Sequence, residues 1–384
     1  MLSVPIPVCN YSISKPIGDL HRQKTVIVCV TNDLATDQRV HKTCTTFVSC
    51  GFRVIETGRL LKNSAPINFN YETRRVKHCF NTHFLFYAEY NIRLFFYLIF
   101  KRFDFVFAND LDTLPAAFFA AKIKNKPLIY DSHELFSQLP EIVNRPKVQN
   151  VWLKIEKYLL PKVKHSITVC QSIADYYKNL YNIDVQVVRN IPYYKYGKIR
   201  VEKFPFTDKK IILYQGALNV GRGLEWIIEA MKYVNNAALV IVGAGDVEKQ
   251  IKQQVIDSKL SDKVFFTGQI LPKDLARYTA SASIGICLLE NRGLSYYYAL
   301  PNRIFDFIHA GVPVLASNFP EMQNIINTYH TGVLIENNDP KYIAEKINNM
   351  FETKFEQSVF EQAAKELCWE NEEKTLIKII NNIK

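Results

Sequence analysis

The chain has no C-x-x-C pair among its eight cysteines and no other spacing suited to a metal site. Cys29, Cys170 and Cys287 each sit in an apolar, strand-like run, which predicts reduced core thiols in a cytoplasmic protein. There is no low-complexity run, and a composition 48% hydrophobic and 22% charged predicts a globular chain throughout. No apolar stretch approaches the roughly 20 residues of a membrane span. Residues 1–24, with Pro5, Pro7 and Pro16, lack the apolar run of a signal peptide and read as a loose leader. Also missing is an Arg-rich stripe or a nucleic-acid-binding motif, because the basic residues behind the net charge of +11 are scattered. That charge favours a polyanionic partner without choosing among nucleic acid, anionic membrane and a phosphorylated substrate.

What is present is length and alternation. At 384 residues the chain exceeds one ordinary core, so two domains are expected. Short β-branched runs alternate with helical patterns, the mark of parallel sheets with crossover helices in an α/β fold. "TVIVCVT", "RVIET", "DFVFAN", "PLIYDS" and "SITVC" are strands of the first half; "IILYQG", "ALVIVG", "VFFTG", "SIGICLL", "PVLAS" and "GVLI" are strands of the second. Between them "RNIPYYKYGKIRVEKFPFTD" loses periodicity and gains proline and charge, as a linker does. The expected division is a Rossmann-like unit over 25–195, a second over 196–365, and an amphipathic helix over 366–384 that packs back on the first. Ligands of such sheets bind at the carboxyl ends of the strands, so two facing units would share a cleft. The segment "IRLFFYLIFKRF", Ile92 to Phe103, is either a basic aromatic helix lying on an anionic bilayer or a helix buried against a sheet.

Strand ends carry polar residues that packing does not require. After the first strand come Asn32, Asp37 and Arg39; Asp37 either caps a helix or stands where free helix amides face a ligand. "ANDLDTLPAA" supplies Asp110, with Pro115 marking an early helical turn, and "YDSHELF" supplies His133 and Glu134. In "YQGALNVGRGLEWI", Gly216 permits close backbone approach, while Arg222 is a cation at a helix start. An anionic ligand would relieve that conflict with the helix dipole, and the planar donors of Arg suit a diphosphate. "VIVGAGD" lacks the third glycine of a dinucleotide fingerprint and falls on the second strand of its unit, so a nicotinamide cofactor is rejected.

The richest stretch is "ENRGLSYYYALPNRIFDFIHAGVPVLAS". Pro301 fits a first helical turn, which leaves the amides of Asn302 and Arg303 free for phosphate oxygens. Asp306 points away from the stripe formed by Ile304 and Ile308. Glu290 stands at a strand tip. An acid for sugar hydroxyls, amides for a diphosphate and an acid for a ribose together suit a nucleotide-sugar.

From about Thr25 onward the sequence resembles a retaining GT-B glycosyltransferase of family 4, bacterial cell-surface polysaccharide type. "TDQRVHK", "DLDTLPAA", "YDSHELF", "YQGALNVGRGLEWIIEAM" and "ALPNRIFDFIHAGVPVLAS" carry the likeness by their order and spacing. The resemblance implies two Rossmann-like domains facing across a cleft, with the donor held along Gly216, Arg222, Leu300, Pro301 and Asn302. It matches Asp306 to the ribose-binding acid and His133 to the histidine at the reaction centre. The sugar-gripping acid expected eight positions before Asp306 is replaced by Tyr298, and the "LSYYYALP" insert shifts that role to Glu290. Ala217 occupies the first position of the basic pair whose second member is Arg222, and Arg303 is expected to supply the missing charge. Also implied are a glycan or lipid-linked glycan acceptor and neither metal nor cofactor besides the nucleoside-diphosphate-sugar. The expected setting is the cytoplasm, with peripheral contact to the inner face of an anionic membrane. The competing readings are a nucleotide-sugar epimerase of the same architecture and a non-enzymatic basic nucleic-acid-binding protein.

Overall fold

The computed structural model describes residues 22–197, 202, 204 and 208–383; most of the expected leader and part of the expected linker lie outside them. Seven strands form the first sheet: β1 (Thr25–Asp33), β2 (Arg53–Arg59), β3 (Glu72–Val76), β4 (Phe105–Asn109), β5 (Leu128–Ser132), β6 (His165–Thr168) and β7 (Gln186–Val187). Six form the second: β8 (Lys210–Gln215), β9 (Ala237–Val242), β10 (Val264–Gly268), β11 (Ile284–Cys287), β12 (Val314–Ser317) and β13 (Gly332–Ile335). Their spatial orders are β3-β2-β1-β4-β5-β6-β7 and β10-β9-β8-β11-β12-β13, with parallel pairing throughout. The central strands read as unbroken apolar runs because helices cover both faces, and every residue of β4, β5 and β9 is buried. Two Rossmann-like units result. In each the order reverses beside the first strand, between β1 and β4 and between β8 and β11, which opens a crevice at the strand ends.

Three helices of the first unit bear on the site. In α1 (Gln38–Ser49) the start is set by Asp37, whose Oδ1 accepts from the Val40 amide at 3.1 Å. Gly51, with φ +86, turns the chain out of it toward β2. The second, α2 (His83–Phe100), buries Phe86, Tyr90, Leu94 and Leu98, one residue per turn, against the first core. The third, α3 (Asp110–Ile123), begins at Asp110, so Pro115 falls in its second turn rather than at its start. Asn91 of α2 offsets the local disturbance: its Nδ2 donates to the Asp112 carbonyl and its Oδ1 accepts from the Ala116 amide.

The C-terminal helix Trp369–Ile383 lies on the first unit. Trp369 is fully buried among Val40, Phe47 and Phe105, and its indole donates to Thr46 Oγ1 at 3.1 Å. Arg189 and Glu372 pair beside it at 2.6 Å. The chain therefore passes between the units twice, and the two passages touch where the Trp369 amide donates to the Pro192 carbonyl at 2.8 Å.

The tyrosine run divides its members between the units. Tyr296 is buried beneath Arg222, and Tyr297 packs on Phe319 with ring centres 5.2 Å apart. Tyr298 packs against the first unit's core, where its carbonyl accepts from Cys170 Sγ. A second link joins the units nearby, from the Ser172 amide to Glu321 Oε1 at 2.6 Å. The insert thus works as a wall of the cleft and a contact across it. Cys29, Cys170 and Cys287 are free and buried, as the sequence implies.

Candidate active site

A cavity of about 490 Å³ opens where the strand ends of the two units meet. From the first unit it is lined by Asn32, Asp37, Arg39, Asp110, His133 and Glu134. Arg222, Tyr296, Leu300, Pro301 and Asn302 face it from the second. These residues lie on the loops and first helical turns that follow buried strands.

His133 is the best-anchored group on the first wall. Its Nδ1 lies 3.3 Å from Asp110 Oδ2, and its Nε2 lies 3.2 Å from both Asp131 Oδ2 and Asn109 Oδ1. The backbone amide of His133 also donates to Asp110 Oδ1, which fixes the turn. Burial alone would lower the imidazole pKa, but the charges of Asp110 and Asp131 overcome it and raise it to about 9. The ring is therefore an imidazolium at neutral pH with both nitrogens engaged by acids. It can place positive charge on this wall but is not free to act as a general base. Burial pushes Glu134 up to about 7, with Asp110 adding to the shift and His133 and Arg222 opposing it.

On the facing wall, Arg222 sits between Gly221 (φ +81) and Gly223 (φ +68). A Cβ on Gly223 would stand 2.5 Å from Leu288 Cβ, so glycine is needed there for this tight turn. The Arg222 guanidinium lies 5.1 Å above the Tyr296 ring. Its Nε is buried without a hydrogen-bond partner among the described residues. A buried donor left open in this way is costly unless a ligand fills it.

Four expected site residues are placed differently. Arg39 lines the cavity, yet its guanidinium is buried on Asp131, with Nε 3.0 Å from Oδ2 and Nη2 2.7 Å from Oδ1, while Nη1 donates to the Val188 carbonyl. A carboxylate as deeply buried as Asp131 needs such a counter-ion. Arg303 lies behind Gly216 and outside the cavity lining. It stacks 4.6 Å from the Tyr214 ring and donates to the Gln215 carbonyl and Cys287 Sγ, which leaves Nη2 without a hydrogen-bond partner among the described residues. Glu290 turns its carboxylate onto Arg292 and is likewise absent from the lining. The helix Arg303–His309 starts two residues after Pro301, whose carbonyl accepts from the Ile304 amide.

Asp306 is also outside the cavity lining, but it follows Asn302, which lines it, by one turn and so shares its side of that helix. Gln215 Nε2 donates to its Oδ2 at 3.0 Å. Burial pushes Asp306 up to about 6, while Lys42 and Lys195 oppose the shift. Lys42, on α1, is itself lowered to about 7, chiefly by burial and then by Arg39, with Asp306, Asp37 and Glu372 pulling the other way. Its Nζ donates to Asn190 Oδ1 at 2.9 Å. A lysine of one unit thus acts electrostatically on an acid of the other. Gly216 (φ +135) is where β8 meets the loop after β9, and a Cβ on Gly243 would collide with its carbonyl. The glycines of "VIVGAGD" therefore serve close backbone approach.

Lys42, Asp131, Gln215 and Tyr296 also shape the site. All four stand inside the motifs quoted above or directly before a strand-end glycine, but their polar groups act on other side chains, which spacing does not reveal. Among the described residues no group of three or more His, Cys, Asp or Glu side chains could hold a metal ion.

Two parallel Rossmann-like units that share a polar cleft define the GT-B class of fold. The sequence agrees: the family described as Glycosyltransferase Family 4 matches residues 45–192, and Glycosyl transferases group 1 matches residues 196–367. Each unit thus matches a glycosyltransferase family model, and the chain has the GT-B fold. Among curated relatives, an uncharacterized glycosyltransferase of Methanocaldococcus jannaschii is 25% identical over 180 residues, 45% of each chain. The chain thus spans about half the length of that relative. Sucrose-phosphate synthase of Thermosynechococcus elongatus superposes with TM-score 0.78 at 16% identity, covering 94% of this chain and 99% of that one. Anabaena HepE, solved in complex with UDP-glucose, superposes with TM-score 0.66 at 14% identity, covering 94% of this chain and 98% of that one.

Proposed function

We propose that the protein moves a sugar from a nucleoside-diphosphate-sugar to an acceptor hydroxyl, with retention of anomeric configuration, in cytoplasmic assembly of a cell-surface glycan. One observation carries this reading: Arg222, whose Nε has no hydrogen-bond partner among the described residues, lines the same cavity as His133 and Asp110. The fold neighbour solved with UDP-glucose supports the choice of donor class. Arg222 would take the donor diphosphate and Asp306 the ribose hydroxyls. The bond from the anomeric carbon to the diphosphate oxygen breaks, and the acceptor oxygen bonds to that carbon on the same face. The acceptor proton passes to the departing phosphate oxygen, so no protein nucleophile is required. Arg222 stabilises the charge left on the diphosphate. His133 is a positioning group, because its protons are already held by two acids.

Incubation of the enzyme with individual nucleoside-diphosphate-sugars and a hydroxyl acceptor tests this, with anomeric configuration read by NMR. A retained glycoside supports transfer, whereas donor isomerised without acceptor would make the protein an epimerase. Turnover in EDTA equal to that in Mg²⁺ is expected, and its loss on chelation would refute diphosphate binding by Arg222 alone.

A further inference from the structure

Helix α2 is apolar around nearly its whole circumference, although only half of it is covered. Phe86, Tyr90, Leu94 and Leu98 are buried in the first unit. At 100° per residue the opposite half of a solvated helix should be polar. Here it carries Phe84 (74% exposed), Leu85, Ile92, Phe96 and Phe100 (82% exposed), and Phe80 just before the helix is exposed as well. A contiguous aromatic face of this kind marks an interaction surface.

Its charge identifies the partner. Between Arg74 and Arg102 stand Arg74, Arg75, Lys77, Arg93, Lys101 and Arg102 against a single acid, Glu89. Glu89 is already engaged by Arg93 at 2.9 Å and by the amides of Cys79 and Phe80. Arg74, Arg93 and Lys101 rim a hollow of about 540 Å³ whose other walls are Ile92, Phe96, Tyr97 and Phe100. A rim of one sign around an aromatic floor complements fixed negative charge above a hydrocarbon layer. Among the described residues no helix is long and apolar enough to cross a membrane.

We propose that α2 docks the protein flat on an anionic bilayer, with Phe84, Leu85, Ile92, Phe96 and Phe100 in the headgroup–acyl boundary and Lys101 and Arg102 among lipid phosphates. On its covered side the same helix touches the segment that follows the first wall: Tyr87 packs edge-on against Trp152 and Phe136, and Phe136 lies two residues after Glu134. The inference does not depend on the transfer reading, because vesicle binding is measured without turnover.

The test is co-sedimentation of the full chain with phosphatidylcholine vesicles and with vesicles that also contain phosphatidylglycerol. Binding to the anionic vesicles, weakened by salt, is expected. Replacing both Lys101 and Arg102 with Ala should weaken it about thirtyfold, from two interfacial charges. The pair Phe96→Ser and Phe100→Ser should abolish sedimentation without lowering Tm, since both side chains are exposed. Full-length protein that stays in the supernatant with anionic vesicles would overturn the proposal. So would a dimer in light scattering that F96S/F100S dissociates, since the face would then join two copies of the chain.

Discussion

Arg39 and Asp131 form a buried, two-pronged ion pair at 2.7 and 3.0 Å, and the same carboxylate holds His133 at the rim of the cleft. Arg39 therefore acts on the site through Asp131, as a support for the histidine.

The pair sets a pH profile. Burial would raise the Asp131 pKa, but Arg39 and His133 bring it down to about 2, below its usual 3.8, so its contribution to stability is present above about 4 and lost as pH falls through about 2. For His133, raised from 6.5 to about 9, the contribution is complete below about 6.5 and lost as pH rises through about 9. Tm should decline from pH 6.5 to 9 and do so less steeply in Asp131→Asn. An equal slope in the variant would remove Asp131 from the histidine's environment. Arg39→Met leaves a buried carboxylate without its counter-ion and should cost ~3–5 kcal/mol in denaturant unfolding.

Arg222 should matter for binding and little for folding. Arg222→Ala is expected to weaken nucleoside diphosphate binding about 10- to 100-fold in calorimetry, the loss of one charge-assisted contact of ~1.5–3 kcal/mol. Its Tm should fall only slightly, because the fold loses the contact with the Tyr296 ring while the removed Nε has no partner among the described residues. Unchanged affinity would move the diphosphate elsewhere.

Arg303 presents the opposite balance. Its stacking on Tyr214 and its bond to the Gln215 carbonyl make it a brace for the end of β8. Arg303→Ala should lower both Tm and turnover, whereas Arg303→Lys, which keeps the charge but loses the planar stack, should recover little. A drop in turnover smaller than about fourfold, under ~1 kcal/mol at the barrier, would count against any role at the diphosphate.

Donor affinity should titrate with Asp306. Its pKa is raised to about 6, so the ionised acceptor needed for ribose hydroxyls disappears as pH falls below that value. Binding of a nucleoside diphosphate should weaken from pH 7 to 5, and Asp306→Asn should bind weakly at both. A variant that keeps the parental pH dependence would show that another group is responsible.

Much of this architecture was legible in the sequence, because fully buried parallel strands must be continuous apolar runs and their ends must turn polar. Spacing left Asp37 open between a helix cap and a cleft residue, and it is both, while the Asp306 face follows from helical spacing. Arg39, Arg303 and Glu290 were harder to place for one shared reason. A strand-end charge can face a ligand or a neighbour, and the neighbour is often distant in sequence: Arg39 meets Asp131 across 92 positions and Arg303 meets Gln215 across 88. Glu290 turned instead to Arg292, two residues away, a pairing that spacing allows but does not require.

The bonds from the Trp369 amide to the Pro192 carbonyl and from the Tyr194 amide to the Glu370 carboxylate tie the two interdomain passages together. With both strands of the connection clasped there, a hinge between the lobes would turn about that clasp rather than on a single tether. Opening such a jaw would carry Arg222 away from His133 along an arc while Lys42, close to the pivot, stayed near Asp306. The grip on the ribose end of a donor would then persist while the sugar end was exchanged.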